Sequence, residues 1–288
     1  MRLARAALVA SSVSCLRMAS AAAAAVAADG SAAATMRAVV AEHGRCVVAT
    51  RAVPALRPRE VLLRVAYTAI NRADTLQRRG LYPPPPGCTD ILGLEAAGTV
   101  AALGPGCARG LAAGARVMAL LAGGGNAEFV AVHEDHLLPV PAGMPLRTAA
   151  AVPETWLTAF QLLFLVGGLQ ANESVLVHAA GSGVGTAAVQ LAAGAGARPI
   201  AVAGTDAKLA VARRLGALAG VNYKATPAFS AAVAAAAPGG AQLILDPVGA
   251  SFCAENAASL AVDGRWVLYG SMGGLALPEG STLLAQVR

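Results

Sequence analysis

Between residues 36 and about 141 the apolar positions come in short alternating or continuous blocks broken by glycine and proline. Blocks at 36–41, 60–69, 98–103, 116–121 and 127–132 predict strands, and their spacing favours a small β-rich, barrel-like unit over a helical bundle. The four prolines at 83–86 predict loop, because proline donates no ladder hydrogen bond and bars helix. After Thr148 the period changes. Residues 148–166 predict helix interrupted near Pro153, and strands follow at 174–178, 199–203, 221–223, 242–245 and 265–269, with alanine-rich helical segments between them. Strand and helix in strict alternation imply an α/β unit with a doubly wound parallel sheet.

Residues 1–35 fit neither pattern. They hold Arg2, Arg5 and Arg17, five serines, one late acid at Asp29 and an alanine run at 21–25. That composition predicts an unstructured, removable segment: either an organellar targeting peptide or a disordered leader. The expected compartment is correspondingly cytoplasmic or mitochondrial. The organisation read from the chain is a leader at 1–35, a β-rich catalytic domain at 36–153 and a nucleotide-binding domain at 154–288.

Composition narrows the function. The chain has 288 residues, 56% of them hydrophobic and 13% charged, which suits two domains with ample core. Its apolar runs are broken by Arg17, Asp29 and Glu154, so no membrane span of roughly 20 residues is expected. The formal charge is +6, of which the leader's three arginines and one aspartate supply +2. The rest is dispersed in pairs such as Arg78-Arg79 and Arg213-Arg214, and with four Tyr and two Trp for base stacking a nucleic-acid partner is not expected. The five cysteines have neither CxxC nor metal-ligand spacing, so structural zinc is not expected.

The chemistry concentrates where strand 174–178 runs into Ala179-Ala180-Gly181-Ser182-Gly183-Val184-Gly185 and then into a helix predicted at 186–193. Glycines let backbone approach a pyrophosphate, whose charge then rests on free N–H groups at a helix N-terminus. Aligned on G-x-G-x-x-G, the three positions are Ala180, Ser182 and Gly185, with Gly181 and Gly183 between them, so the loop is a variant. At the end of the second strand an NAD site needs a carboxylate for the ribose 2′-hydroxyl. Ala203 and Gly204 stand there instead. This predicts NADPH, with Thr205 and Lys208 as phosphate donors and Tyr223 behind. Asp206 either faces the phosphate or caps the helix that begins beside it.

The motifs Asn71-Arg72-Ala73-Asp74, Gly80-Leu81-Tyr82-Pro83, Gly93-Leu94-Glu95-Ala96, the segment 154–160 and the segment 178–190 together resemble the zeta-crystallin-like quinone oxidoreductases of the medium-chain dehydrogenase/reductase superfamily. The resemblance continues through 198–200, Asn222-Tyr223, 243–246 and 263–270, and covers Met36 to about Gly274. It implies a GroES-like catalytic domain, a Rossmann domain, a cofactor in the cleft between them and NADPH-dependent, metal-free reduction of quinones, with activated enones as a secondary substrate class. In zinc-dependent relatives a cysteine would stand at Asn71 and a histidine at Leu94, so catalytic zinc is not implied.

Carried over by position, Asn71 and Tyr82 line the quinone pocket and Ser182 sits near the reacting centre, forming the implied catalytic set. Tyr82, Thr158, Gly181, Ser182, Gly183, Val184, Gly185, Gly204, Thr205, Lys208, Tyr223 and Gly270 form the implied cofactor set. A Ser182–His178 nucleophile pair is rejected, because no G-x-S-x-G elbow accompanies them. The family continues past Gly274 with a further strand that pairs subunits, which residues 275–288 do not resemble. The expectation is therefore a C-terminally shortened chain that lacks the family's homodimer and turns over weakly, or that keeps the fold as a scaffold or RNA-binding relative.

Overall fold

The computed structural model describes residues 15–17, 34–274 and 276. The chain divides into two compact units, the first ending at Glu154 and the second beginning at Thr155.

The first unit is antiparallel throughout. Thr35–Glu42 and Arg45–Ala52 form a hairpin in full register, from Thr35 opposite Ala52 to Glu42 opposite Arg45. His43 and Gly44 close it at φ 50° and 75°. Two successive left-handed residues match the twist of tight hairpins. The second of these strands was not predicted. Its companion sheet is organised around Glu60–Ala69, which pairs with Glu95–Leu103 along one edge. The other edge is shared by Phe129–His133 at its start and Cys15–Arg17 at its end. Arg116–Leu120 and Leu137–Pro139 extend the sheet beyond Glu95–Leu103. The barrel core is Val61, Leu63, Val65, Val100, Val117, Val130, Val132 and Leu137.

One expectation is corrected here. Cys15–Arg17, inside the segment read as an unstructured leader, is a strand bonded to Tyr67–Ala69. The leader's remaining expectations fall on residues 1–14 and 18–33, outside the described residues. Helices also occur at Arg72–Gln77 and Leu146–Ala149, the first of them unpredicted because six residues are too few to show a helical period.

The second unit is a five-stranded parallel sheet ordered Ala219–Asn222, Arg198–Ala203, Ser174–Val177, Ala241–Asp246, Leu260–Leu268. Its three inner strands carry unbroken apolar runs at 175–177, 199–203 and 243–245 because both faces are covered there. Val175, Val177, Ala201, Ala203, Leu243 and Leu245 face a cluster with Leu163, Ala188 and Leu209. Leu176, Ile200, Val202 and Ile244 face Phe229 and Val233. The strand predicted at 265–269 starts earlier, at Leu260. Its pairing shifts between Ala241 and Leu243, across an Asp263-Gly264 pair that reads as a turn in sequence, with Asp263 at φ 57°. The predicted helix at 148–166 becomes Leu146–Ala149, Pro153–Phe160 and a wider π turn at Gln161–Val166. Among the described residues no helix is long and apolar enough to cross a membrane.

Candidate functional site

In the second unit the glycine loop joins the strand Ser174–Val177 to the helix Gly183–Gly194, which starts three residues earlier than predicted. Ser182 is its N-cap, and its Oγ accepts the Gly185 N–H at 3.0 Å. That bond explains why a serine replaces the second fingerprint glycine: the hydroxyl satisfies a donor of the open helix end. Gly185 is fixed by close approach. A methyl there would lie 2.3 Å from the Ala179 carbonyl oxygen and 2.7 Å from Ala180 Cα. Ala179 itself adopts φ 47°, in the left-handed region where a side chain carries strain. The cradle thus fits a dinucleotide pyrophosphate, with backbone N–H groups presented at a helix start.

The end of the second strand carries the next features. A methyl on Gly204 would sit 2.9 Å from the Tyr223 hydroxyl oxygen, so the phenol ring covers that glycine. A methyl on Gly181 would meet the Lys208 stem at 2.8 to 3.0 Å, which places that lysine against the glycine loop. Thr205 caps the helix Asp206–Arg214, its Oγ1 accepting the Lys208 N–H at 3.4 Å. Capping is therefore the threonine's role and not Asp206's. Gly183 lies beside Thr155, and Val184 is partly buried against the core. Gly270 packs against the Pro247 carbonyl, 2.8 Å from where its methyl would be. Thr158 lies partly buried on the helix Pro153–Phe160. Gly181 thus adjoins Lys208, Lys208 adjoins Thr205 and Gly204 adjoins Tyr223, while Ser182 is tied to Gly185.

Behind the loop lies a buried polar chain that sequence reasoning did not find. His178 is fully buried, and its Nε2 lies 2.6 Å from Asn256 Oδ1. Asn256 Nδ2 donates to Asp246 Oδ2 at 2.9 Å, so Asn256 turns its oxygen to His178, and Nε2 carries the ring proton. Asp246 also accepts from Val248 N, Gly249 N and Trp266 Nε1 at 2.7, 3.0 and 3.0 Å. Burial holds the His178 imidazole below its ordinary range and pushes the nearby Tyr269 phenol upward, with the Asp246 charge adding to the latter. The imidazole is thus engaged with Asn256, while the Ser182 Oγ accepts from Gly185.

In the first unit Asn71 is the N-cap of the helix Arg72–Gln77. Its N–H donates to Asp74 Oδ2 at 2.7 Å, and its Nδ2 donates to Glu95 Oε1 at 2.7 Å. The second Glu95 oxygen accepts the Glu154 N–H at 2.9 Å. Glu95 is fully buried, and burial, assisted by the charges of Glu154 and Asp74, pushes its carboxyl up to about 7 against those two hydrogen bonds. Leu94 is buried, and Tyr82 is half exposed in the loop ahead of the prolines. Among the described residues no three His, Cys, Asp or Glu side chains are grouped so as to hold a metal ion. The glutamate's importance could have been read from a carboxylate flanked by apolar residues in Gly93-Leu94-Glu95-Ala96-Ala97; its partners, 24 and 59 residues away, could not.

The alcohol dehydrogenase GroES-like domain family matches residues 57–142, and the zinc-binding dehydrogenase family matches residues 183–288. Quinone oxidoreductase-like protein 2 of Bos taurus is 33% identical over 235 residues, covering 81% of this chain and 67% of that protein. The chain belongs to the medium-chain dehydrogenase/reductase superfamily. Its GroES-like unit is the β-rich one, and its Rossmann unit is the parallel sheet. The synaptic vesicle membrane protein VAT-1 homolog of Danio rerio is another superfamily relative, 33% identical over 223 residues that make up 77% of this chain. The chain spans 46% of that protein's length and 57% of its human counterpart's, about half of these curated relatives. Among solved structures, mycobacterial Rv1454c complexed with NADPH superposes with a TM-score of 0.77 at 31% identity, covering 88% of this chain and 79% of that one. An NAD-dependent alcohol dehydrogenase superposes with a TM-score of 0.78 at 32% identity, over 88% of this chain and 81% of that one. The Pseudomonas syringae quinone oxidoreductase gives 0.77 at 28% identity, over 88% and 79%.

Proposed function

We propose that this dehydrogenase/reductase uses NADPH to reduce quinones and needs no metal. The observation that carries the cofactor choice is Gly204 under Tyr223, where an NAD site would place a carboxylate. The backbone N–H groups of Gly183 and Val184 hold the pyrophosphate, with Gly181, Ser182 and Gly185 shaping the loop. Lys208 and Thr205 donate to the 2′-phosphate. Thr158 and Gly270 serve the nicotinamide end. When bound, NADPH supplies the hydride. The chain's task is then to align a flat acceptor and exclude water, which requires no nucleophile.

In the GroES-like unit Asn71 and Tyr82 contact the quinone. The bond from Asn71 Nδ2 to Glu95 fixes which way the amide faces. The donor set around Asn71 does not fit a catalytic zinc: an amide and the leucine at 94 are not ligands, and both Glu95 oxygens already accept hydrogen bonds. A homologous quinone reductase from Pseudomonas syringae and the Bos taurus relative support the substrate class. The test is consumption of NADPH with 1,4-naphthoquinone and with a simple enone, with and without a chelator, beside dissociation constants for both nicotinamide cofactors. Quinone turnover that survives the chelator, and tighter binding of NADPH than NADH, are expected. Stoichiometric zinc with chelator-sensitive turnover, or tighter NADH binding, would refute the reading.

A further inference from the structure

Asp206 is the residue at the cofactor edge that the NADPH reading leaves unexplained. It places a carboxylate in the first turn of the helix Asp206–Arg214, two residues after Gly204, where an acid would repel a 2′-phosphate and welcome a ribose hydroxyl. The helix does not need it as a cap, since Thr205 fills that role. Its Oδ1 instead accepts a hydrogen bond from Asn222 Nδ2 at 3.0 Å.

Asn222 is itself well held. It ends the strand Ala219–Asn222, its Oδ1 accepts the Lys224 N–H at 3.1 Å, and its carbonyl accepts from Ala225 and Thr226 at 3.1 and 2.9 Å. The amide is therefore a donor of fixed direction. Sheet order gives that direction meaning: Arg198–Ala203 lies between Ala219–Asn222 on one side and Ser174–Val177 on the other. Asp206 is drawn towards the third strand, whereas Lys208 lies against Gly181 in the loop that follows the first. Acid and base from one helical turn are parted to opposite sides of the second strand.

We propose that Asn222 is a cofactor-specificity residue, which tethers the Asp206 carboxylate to the third strand and so keeps the Lys208 side of the helix start open to the NADPH 2′-phosphate. The inference rests on the NADPH reading. Without the tether the carboxylate is free to swing towards the phosphate, weakening NADPH, or to accept from the 2′-hydroxyl of NADH.

The experiment is a cycle of wild type, Asn222→Ala, Asp206→Ala and the double variant, with dissociation constants for NADPH and NADH from quenching of intrinsic fluorescence and folding checked by circular dichroism. Asn222→Ala is expected to weaken NADPH by about tenfold, the effect of one uncancelled charge near a partly exposed site, while NADH changes by less than about twofold or tightens. The double variant should return to the affinity of Asp206→Ala. Equal loss for both cofactors in Asn222→Ala, or a double variant that stays weakened, overturns the tether. Asp206→Asn in the wild-type background gives a check that leaves Asn222 intact. If the carboxylate is already held away, NADPH affinity changes by less than about twofold, whereas a gain of about tenfold shows that Asp206 faces the phosphate and overturns the proposal. Tighter NADH binding by wild type would defeat the NADPH reading, and the dependence of the Asn222 effect on Asp206 is read separately.

Discussion

Replacing Glu95 by Gln should change how the stability of the protein depends on pH, because Glu95 is a fully buried carboxyl whose ionisation is displaced from 4.5 to about 7. The leading cause is loss of water around the carboxylate. The hydrogen bonds from Glu154 N and Asn71 Nδ2 work in the opposite direction, and the charges of Glu154 and Asp74 reinforce burial. A folded state that holds the proton more tightly than the unfolded chain gains stability from it below the unfolded value and loses that gain as pH rises through the folded one. A displacement of this size corresponds to about 3 kcal/mol. The contribution is thus complete below about pH 4.5, declines most steeply between about pH 5 and pH 6.5, flattens through neutrality and is absent above about pH 8.

The glutamine keeps volume and abolishes the titration. Its amide nitrogen faces one of the two donors that now point at Glu95, and a turn of the Asn71 amide, offering Oδ1, restores the bond. Urea denaturation of both proteins at intervals from pH 5 to pH 8 gives the difference in unfolding free energy at each pH, in which most other titrating groups cancel. The variant should gain on the wild type by about 2.5 kcal/mol across that range, since the contribution has already begun to fall at pH 5. Parallel stability curves would show that Glu95 ionises normally, and the argument from burial would fail.

Three further outcomes are expected. Gly185→Ala, whose methyl would press on the Ala179 carbonyl at 2.3 Å, should cost about 1 to 3 kcal/mol and abolish nucleotide quenching, whereas Gly194→Ala, at the open end of the same helix, should be neutral or stabilising in the same thermal melt. Lys208→Ala should weaken NADPH by about 1.5 to 3 kcal/mol and leave NADH unchanged, so equal loss in titrations of both cofactors would remove Lys208 from the phosphate. His178 gives a slope opposite to that of Glu95: its folded-state value is depressed, so stability is full above about pH 6.5 and falls as pH drops through it, and wild type should lose ground to His178→Gln in melts between pH 7.5 and pH 5.

The Rossmann half was legible because its signals are local. A glycine turn between an apolar strand and a helix, and a missing acid at the next strand's end, are both read within a few residues, and the parallel fold fixes where such strand ends meet. Less was legible in the β-rich half. Arg45–Ala52 is amphipathic but opens on Arg45-Cys46 straight after a turn without the usual asparagine, and Cys15–Arg17 takes its strand conformation from its partner Glu60–Ala69, not from its own three residues. The helix start at Gly183 was missed because two glycines in the first turn argue against helix, while the Ser182 cap that permits it becomes visible once its hydroxyl is seen on Gly185.

Side-chain partnership is where sequence reasoning stops, and the polar groups of this chain show why. His178, Asn256 and Asp246 are joined across 78 and 10 residues, Glu95 reaches back 24 residues to Asn71, and Asp206 is claimed by an amide 16 residues on. Each pairing depends on strand order and on a choice of rotamer, and neither is encoded by the residue's own neighbours. Asp206 makes the point most directly. Local reading offers two roles for an acid in a helix's first turn, towards the phosphate or onto the helix N–H groups. The folded chain uses a third, onto a side chain of the adjoining strand, because Thr205 has already occupied the cap and the third strand ends within reach. At the second strand's end of this sheet, the direction in which the acid faces is set jointly by the residues of that end and by those of the strand beside it.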